Sequence, residues 1–132
     1  MASIFTKIIE GEIPSYKVIE DDKHFAFLDI FPVAKGHTLV IPKHEVDNLF
    51  DLPEEEYQEL LMFARKVAKG LEKAVPCNRV GVTVIGLDVA HAHIHLIPIN
   101  SISDMSFEKE KLKFSEEEFR NIAGLINRNI EG

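Results

Sequence analysis

His91-Ala92-His93-Ile94-His95-Leu96-Ile97-Pro98 is the stretch on which both the fold and the chemistry turn. On a strand, residues two apart share a face. A strand over His91–Ile97 therefore lines up three imidazoles on one side and sends Ala92, Ile94 and Leu96 to the other. Just upstream, Val80–Ile85 reads as a second strand, joined to the first through Gly86-Leu87-Asp88-Val89-Ala90. Further back, Pro53 suits a first helical position, and Glu54, Glu55 and Glu56 suit the positive end of a helix dipole. Tyr57, Leu60, Leu61, Ala64, Val67, Ala68 and Leu71 then follow as one apolar stripe at helical spacing, ending before Pro76. That helix is a candidate interface unless a sheet fills the stripe.

The N-terminal part adds three strands, Tyr16–Glu20, His24–Asp29 and His37–Ile41, the first two joined by a hairpin at Asp21-Asp22-Lys23. Ile4, Phe5, Ile8 and Ile9 predict a short first helix. Ser115 and Glu118 form a capping box that opens a last helix carrying Phe119, Ile122, Ala123 and Ile126 on one side. Strands in hairpin-like pairs with helices between them predict the α+β class: a five-stranded, mainly antiparallel sheet, a long central helix and a C-terminal helix.

Composition narrows the function. The 132 residues carry 15 Lys+Arg against 22 Asp+Glu, a net charge of −7, with 45% hydrophobic residues. This is a globular composition of single-domain length, so residues 1–132 are read as one domain. The acidic balance excludes a nucleic-acid or membrane-surface binder, since both need a basic face. The single Cys77 excludes an internal disulfide and a multi-thiolate metal site. No apolar run is long enough to span a bilayer, and the first seven residues lack the pattern of a signal peptide, so the expected location is cytoplasmic.

A file of imidazoles is a costly way to build a buried surface, and three desolvated rings imply a task. Two tasks fit. Two His at i, i+2 on a strand can bind one metal ion, although no carboxylate or Cys falls within the row. Alternatively, one imidazole attacks an electrophile while its neighbours fix its tautomer and hold anionic oxygens.

Three more segments accompany the row: Ile4-Phe5-Thr6-Lys7-Ile8-Ile9-Glu10-Gly11-Glu12-Ile13-Pro14, Ala26-Phe27-Leu28-Asp29-Ile30-Phe31-Pro32, and Gly36-His37-Thr38-Leu39-Val40-Ile41-Pro42-Lys43. In this order they resemble the Hint-like branch of the histidine triad (HIT) family. The resemblance spans residues 3–98, and residues 99–132 read as a helical C-terminal extension. It implies a homodimer and a metal-independent nucleotide hydrolase without cofactor. The substrate would be a purine nucleoside 5′-phosphoramidate or a related AMP or GMP conjugate. His93 would attack the α-phosphorus and become a transient nucleotidyl-histidine. The carbonyl of His91 would fix the tautomer of His93, and His95 and His37 would support the site. Ile4, Phe5, Ile8, Phe27, Ile30 and Leu39 would form the slot for the base. Asp29 would take the ribose hydroxyls, and Gly86 would leave room for the phosphate.

The sequence departs from the family at several positions. Ser3 and Thr6 stand where some members carry the Cys-x-x-Cys pair of a zinc site, which predicts no structural zinc. Asp88 replaces a hydroxyl that could donate to a phosphate oxygen, and an ionised carboxylate there repels the anion. Thr83 is the nearest polar residue to the family's preceding Asn. Leu96 and Ile97 replace a Gln typical of the transferase branch, which favours hydrolysis. Asp88 and Leu87 leave open a nucleotide-binding or adaptor protein with little catalysis. The row itself leaves open a metal-dependent hydrolase.

Overall fold

In a computed structural model that describes residues 2–131, the chain folds into a five-stranded antiparallel open sheet flanked by helices. Residues 1 and 132, which the single-domain expectation includes, lie outside the described residues. In chain order the elements are α1 (Ile4–Ile9), β1 (Lys17–Glu20), β2 (His24–Leu28), β3 (Thr38–Pro42), α2 (Glu54–Ala74), β4 (Arg79–Thr83), β5 (Ile94–Ile99) and α3 (Glu116–Arg128). The strand order is β1-β2-β3-β5-β4, so β1 and β4 are the edges. No helix among the described residues is long and apolar enough to cross a membrane.

The sheet divides two apolar clusters. Alternate residues of β2, β3 and β5 (Ala26, Leu28, Val40, Ile94, Leu96) point into the larger one, against α2 and α3. The intervening residues Phe25, Phe27, Leu39 and Ile41 point the other way and pack on Phe5 of α1. All five residues of β2 and all five of β3 are buried, as expected for strands covered on both faces. The pairings Phe27↔Leu39 and Leu39↔His95 set these three side chains in one row across the sheet, on the α1 side.

The helix stripe is rotated from the one the spacing predicts. Leu60, Phe63, Ala64, Val67, Gly70 and Leu71 are the buried residues of α2, whereas Leu61 is 40% exposed. Phe63 belongs to the stripe because its ring stacks on His24 at 4.9 Å. The sheet and α3 fill this face, so the core uses the stripe that sequence alone leaves available as an interface. Pro53 is the N-cap, one residue outside the helix, with an extended ψ of 147°.

The histidine strand is also shorter than predicted. β5 starts at Ile94, and only His95 of the three lies in the ladder. Extending the β3–β5 register would set residue 92 opposite Pro42, which has no N–H to donate. The chain instead turns away: the Ala92 amide bonds to Val46 O at 2.7 Å, and the His91 amide to Val89 O at 2.9 Å. The alternation survives the break, since Ala92 stays in the larger core with Ile94 and Leu96.

Candidate active site

The sheet brings four histidines to the α1 side, and His37, His91, His93 and His95 are all buried. Phe5 packs its ring edge-on against His93 at 5.0 Å and His91 at 5.8 Å. His93 meets His95 at 5.0 Å, and His95 meets His37 at 5.2 Å. The rings thus form one continuous file from α1 to the start of β3.

Their tautomers follow from partners that can only accept or only donate. Nδ1 of His93 lies 2.8 Å from the carbonyl oxygen of His91 and must carry the hydrogen. Nε2 of His93 then holds a lone pair, and this buried atom has no hydrogen-bond partner. Asp88 Oδ1 is 3.4 Å from it, but a carboxylate offers no hydrogen to an unprotonated nitrogen. The two form an ion pair only once Nε2 gains a proton.

His37 and His95 form a second relay. The Val33 amide donates to Nδ1 of His37 at 3.2 Å, which places the His37 hydrogen on Nε2. That hydrogen goes to Nδ1 of His95 at 3.0 Å, leaving His95 with an N–H at Nε2. Burial, reinforced by Lys111, lowers His37 to about 4. Burial also lowers His95 to about 4, aided by its neighbours His37 and His93. Both rings are neutral near pH 7. Phe107 closes the file, its ring 4.9 Å from that of His95 and 5.8 Å from that of His37.

A third network holds His91. Its Nε2–H donates to Pro42 O at 2.8 Å, so Nδ1 accepts from the Ser3 hydroxyl at 2.7 Å. Ser3 is also the N-cap of α1, accepting from the Thr6 amide at 3.0 Å. The Thr6 hydroxyl (2.6 Å) and the Ser3 amide (2.7 Å) both donate to Oε1 of Glu45. These bonds, the Thr6 hydroxyl foremost, hold the Glu45 carboxyl down at about 2. Burial keeps His91 below the usual imidazole range. The positions compared with Cys-x-x-Cys are thus occupied by a hydrogen-bonded cap that ties α1 to His91.

A cavity of about 260 Å³ opens beside His93 and His95. Ile4, Phe5, Ile8, Phe27, Asp29, Ile30, Leu39 and Asp88 all line it, with Phe31 and Val89. Asp29 uses Oδ1 to accept the Phe31 amide at 2.8 Å, and its Oδ2 sits 3.6 Å from Nε2 of His37. Among the predicted site residues, His37 and His91 stand behind the lining, and two predicted nucleotide-binding residues are also not among it. Thr83 stands opposite His95 at the end of β4, beyond the cavity. Gly86 has φ +74°, and an added Cβ would meet nothing within 4 Å, so the backbone conformation and not lack of room requires glycine there. A larger groove of about 790 Å³, lined in part by Lys17 of β1 and Arg120 of α3, contains none of the imidazoles.

Among the described residues one group gathers potential metal ligands: Asp29, His37 and His95, within 4.8 Å of one another. The arrangement is poor for a cation. Nε2 of His37 carries a hydrogen because Nδ1 is taken by the Val33 amide, and the facing nitrogens already share that hydrogen.

Sequence reasoning missed Ser3, Thr6 and Glu45 as supports of His91, and Phe31, Phe107 and Lys111 near the reacting side. Ser3 and Thr6 were visible only as non-cysteines. No local signal marks the others.

Comparison with known proteins identifies the family and the fold. The family model of the HIT domain matches residues 10–102. A HIT-like protein of Borreliella burgdorferi is 36% identical over 135 residues, covering 96% of this chain and 97% of that protein. The adenosine 5′-monophosphoramidase HNT1 of Saccharomyces cerevisiae is 44% identical over 102 residues, covering 74% of this chain and 62% of the yeast protein. The crystal structure of a HIT-like protein from Bartonella henselae superposes with a TM-score of 0.82 at 34% identity, covering 96% and 95% of the two chains.

Proposed function

The chain belongs to the HIT domain family, and from that premise we propose that it is a nucleotide hydrolase acting on purine nucleoside 5′-monophosphate amides through a covalent nucleotidyl-histidine on His93. One observation carries this reading. Nε2 of His93 is buried and unpartnered while Nδ1–H is held by the His91 carbonyl, so the lone pair is directed and needs no deprotonation.

The base enters the apolar cavity between Phe5, Phe27 and Leu39, and the ribose hydroxyls reach the remaining lone pairs of Asp29. The Nε2 lone pair of His93 forms a bond to the α-phosphorus, and the P–N bond to the amine breaks. The departing nitrogen keeps that electron pair and takes up one proton. A water oxygen then bonds to phosphorus as the bond to His93 breaks. The sum consumes one water, with a hydrogen going to the amine and OH to the nucleotide. His95, fixed by His37, presents Nε2–H as a donor that needs no reorganisation. None of these steps requires a metal ion. The homodimer implied by the family resemblance is part of the proposal. We seat it on edge strand β4, where Val82 and, just past the strand's end, Val84 are exposed. Light scattering that gives only the 15.0 kDa chain mass would contradict it.

Adenosine 5′-phosphoramidate tests the activity. Wild-type protein should release AMP with steady turnover, and His93→Ala of intact fold should not. A second reading, a nucleotide-binding protein that barely catalyses, is favoured by the Asp88 carboxylate 3.4 Å from the attacking nitrogen. It predicts AMP binding without amine release.

A further inference from the structure

The peptide between Pro32 and Val33 is hydrogen-bonded at both ends. Its carbonyl accepts the Leu112 amide at 2.9 Å, and its N–H donates to Nδ1 of His37 at 3.2 Å. His37 in turn donates from Nε2 to Nδ1 of His95 at 3.0 Å. The Nε2–H of His95 is left without a partner among the described residues, and His95 lines the base cavity. Every donor in this series points the same way, from Leu112 through Val33 and His37 to His95. Its origin, Leu112, belongs to the part of the chain where no motif was found. The same segment supplies Phe107, whose ring stands edge-on to both imidazoles of the relay, 4.9 Å from His95 and 5.8 Å from His37. Between the two, the Lys111 ammonium closes the segment by bonding the carbonyls of Phe107 and Lys109.

We propose that the segment after β5 positions the hydrogen-bond donor of the reaction: a one-way chain from the Leu112 amide holds the hydrogen of His95 on Nε2, and Phe107 keeps water away from that chain. Leu112, through its backbone, and Phe107, through its ring, are positioning residues. The use of the donor rests on the phosphoramidase reading; the chain itself does not. Hydrogen bonds aligned head to tail polarise one another, so each link strengthens the donor after it. The Leu112 bond also fixes the plane of the Pro32–Val33 peptide, and with it the N–H that makes Nδ1 of His37 an acceptor. A reversed tautomer would aim a lone pair instead of a hydrogen at a phosphate oxygen. Water at the relay would supply competing donors and protons. The titratable and charged groups around the two rings are His93, Asp29, Asp88 and Lys111, which carry both signs. Burial is the main cause that keeps the rings neutral, and Phe107 is part of that cover.

The test replaces the N–H of Leu112 with an ester oxygen, by incorporating the α-hydroxy analogue of leucine, which keeps the side chain. Phe107→Ala removes the cover, and Phe107→Leu retains an apolar one. Imidazole 1H–15N spectra report which nitrogen of His37 and His95 carries the hydrogen and how strongly it is bonded, whatever substrate the protein takes. The wild type should show Nε2–H for both rings near pH 7. In the ester, the Nε2 proton of His37 should move upfield as its bond to His95 weakens. There kcat for adenosine 5′-phosphoramidate should fall about two- to fivefold with KM nearly unchanged. In Phe107→Ala, His95 should titrate closer to the ordinary imidazole value of about 6.5, and in Phe107→Leu it should stay at the wild-type value. An unchanged His37 proton in the ester would overturn the chain, and an unchanged His95 titration in Phe107→Ala would overturn the cover. Absence of AMP release from the wild type would overturn the phosphoramidase reading alone, because the spectra still decide the chain.

Discussion

The carbonyl oxygen of His91 sits 2.8 Å from Nδ1 of His93. In the proposed reaction this contact makes His93 the nucleophile of the file and leaves the others as supports. It fixes the hydrogen on Nδ1 and leaves the lone pair at Nε2 facing an apolar cavity. His91 is itself immobilised at both ring nitrogens, by Pro42 O and the Ser3 hydroxyl, so its carbonyl is held in turn. In that reaction the direction of attack depends on residues as distant in sequence as Ser3 and Glu45.

Ser3→Ala removes the α1 cap and the donor to His91 together. Loss of an N-cap costs about 1 kcal/mol, read as a drop in Tm. The account further predicts a fall in kcat larger than any rise in KM, because the substitution frees the residue that orients His93. Steady-state kinetics on adenosine 5′-phosphoramidate at matched folded fraction checks it. An unchanged kcat would uncouple the cap from the site.

Acid should unfold the protein through the second relay. An unfolded imidazole titrates near 6.5, and folded His37 and His95 near 4. Between these values the unfolded chain binds more protons, so stability is full above about pH 6.5 and falls as the pH drops toward 4. Thermal melts across that range should show a decreasing Tm. His37→Phe should flatten part of the slope, although it lowers Tm overall by breaking the bond to His95.

Gly36 adjoins this relay and has φ +89°. A Cβ there would approach Leu71 Cδ1 to 2.9 Å and Val75 Cγ2 to 3.0 Å. Gly36→Ala therefore combines an unfavourable backbone with overpacking against α2, and should cost about 1–3 kcal/mol in urea unfolding. A loss under a few tenths would mean that the α2 side chains yield freely.

Much of this was legible in the sequence, for reasons that stop at definable points. The period-two alternation around His93 identifies both faces of the sheet, because apolar residues on the other face must enter a core. It does not reveal that the ladder begins only at Ile94, because that depends on Pro42 lying opposite residue 92, a register set by β3. Spacing places Leu61 in the α2 stripe where the structure buries Phe63, since spacing alone cannot tell which side of a helix finds His24. The hydrogen bond from Ser3 to His91 spans 88 positions, and the edge-on packing of Phe107 against His95 involves a segment without motif. Such pairings arise from the tertiary fold and leave no local pattern.

Asp88→Ser addresses the departure most unfavourable to catalysis. Replacing a carboxylate 3.4 Å from the attacking nitrogen with a hydroxyl removes repulsion of the phosphate and adds a donor. Asp88 is largely exposed, so water screens it, and the expected gain in kcat/KM is about three- to tenfold. The gain should shrink as salt is raised. A loss of activity would assign Asp88 a productive part in the reaction.

Trapping the intermediate tests the central claim most directly. Wild-type protein is mixed with adenosine 5′-phosphoramidate, quenched within milliseconds, digested and mapped by mass spectrometry. The account predicts an AMP adduct on His93 that forms and decays fast enough to carry turnover, and none in His93→Ala. An adduct on another residue, or steady AMP release with no adduct at any time, would contradict it.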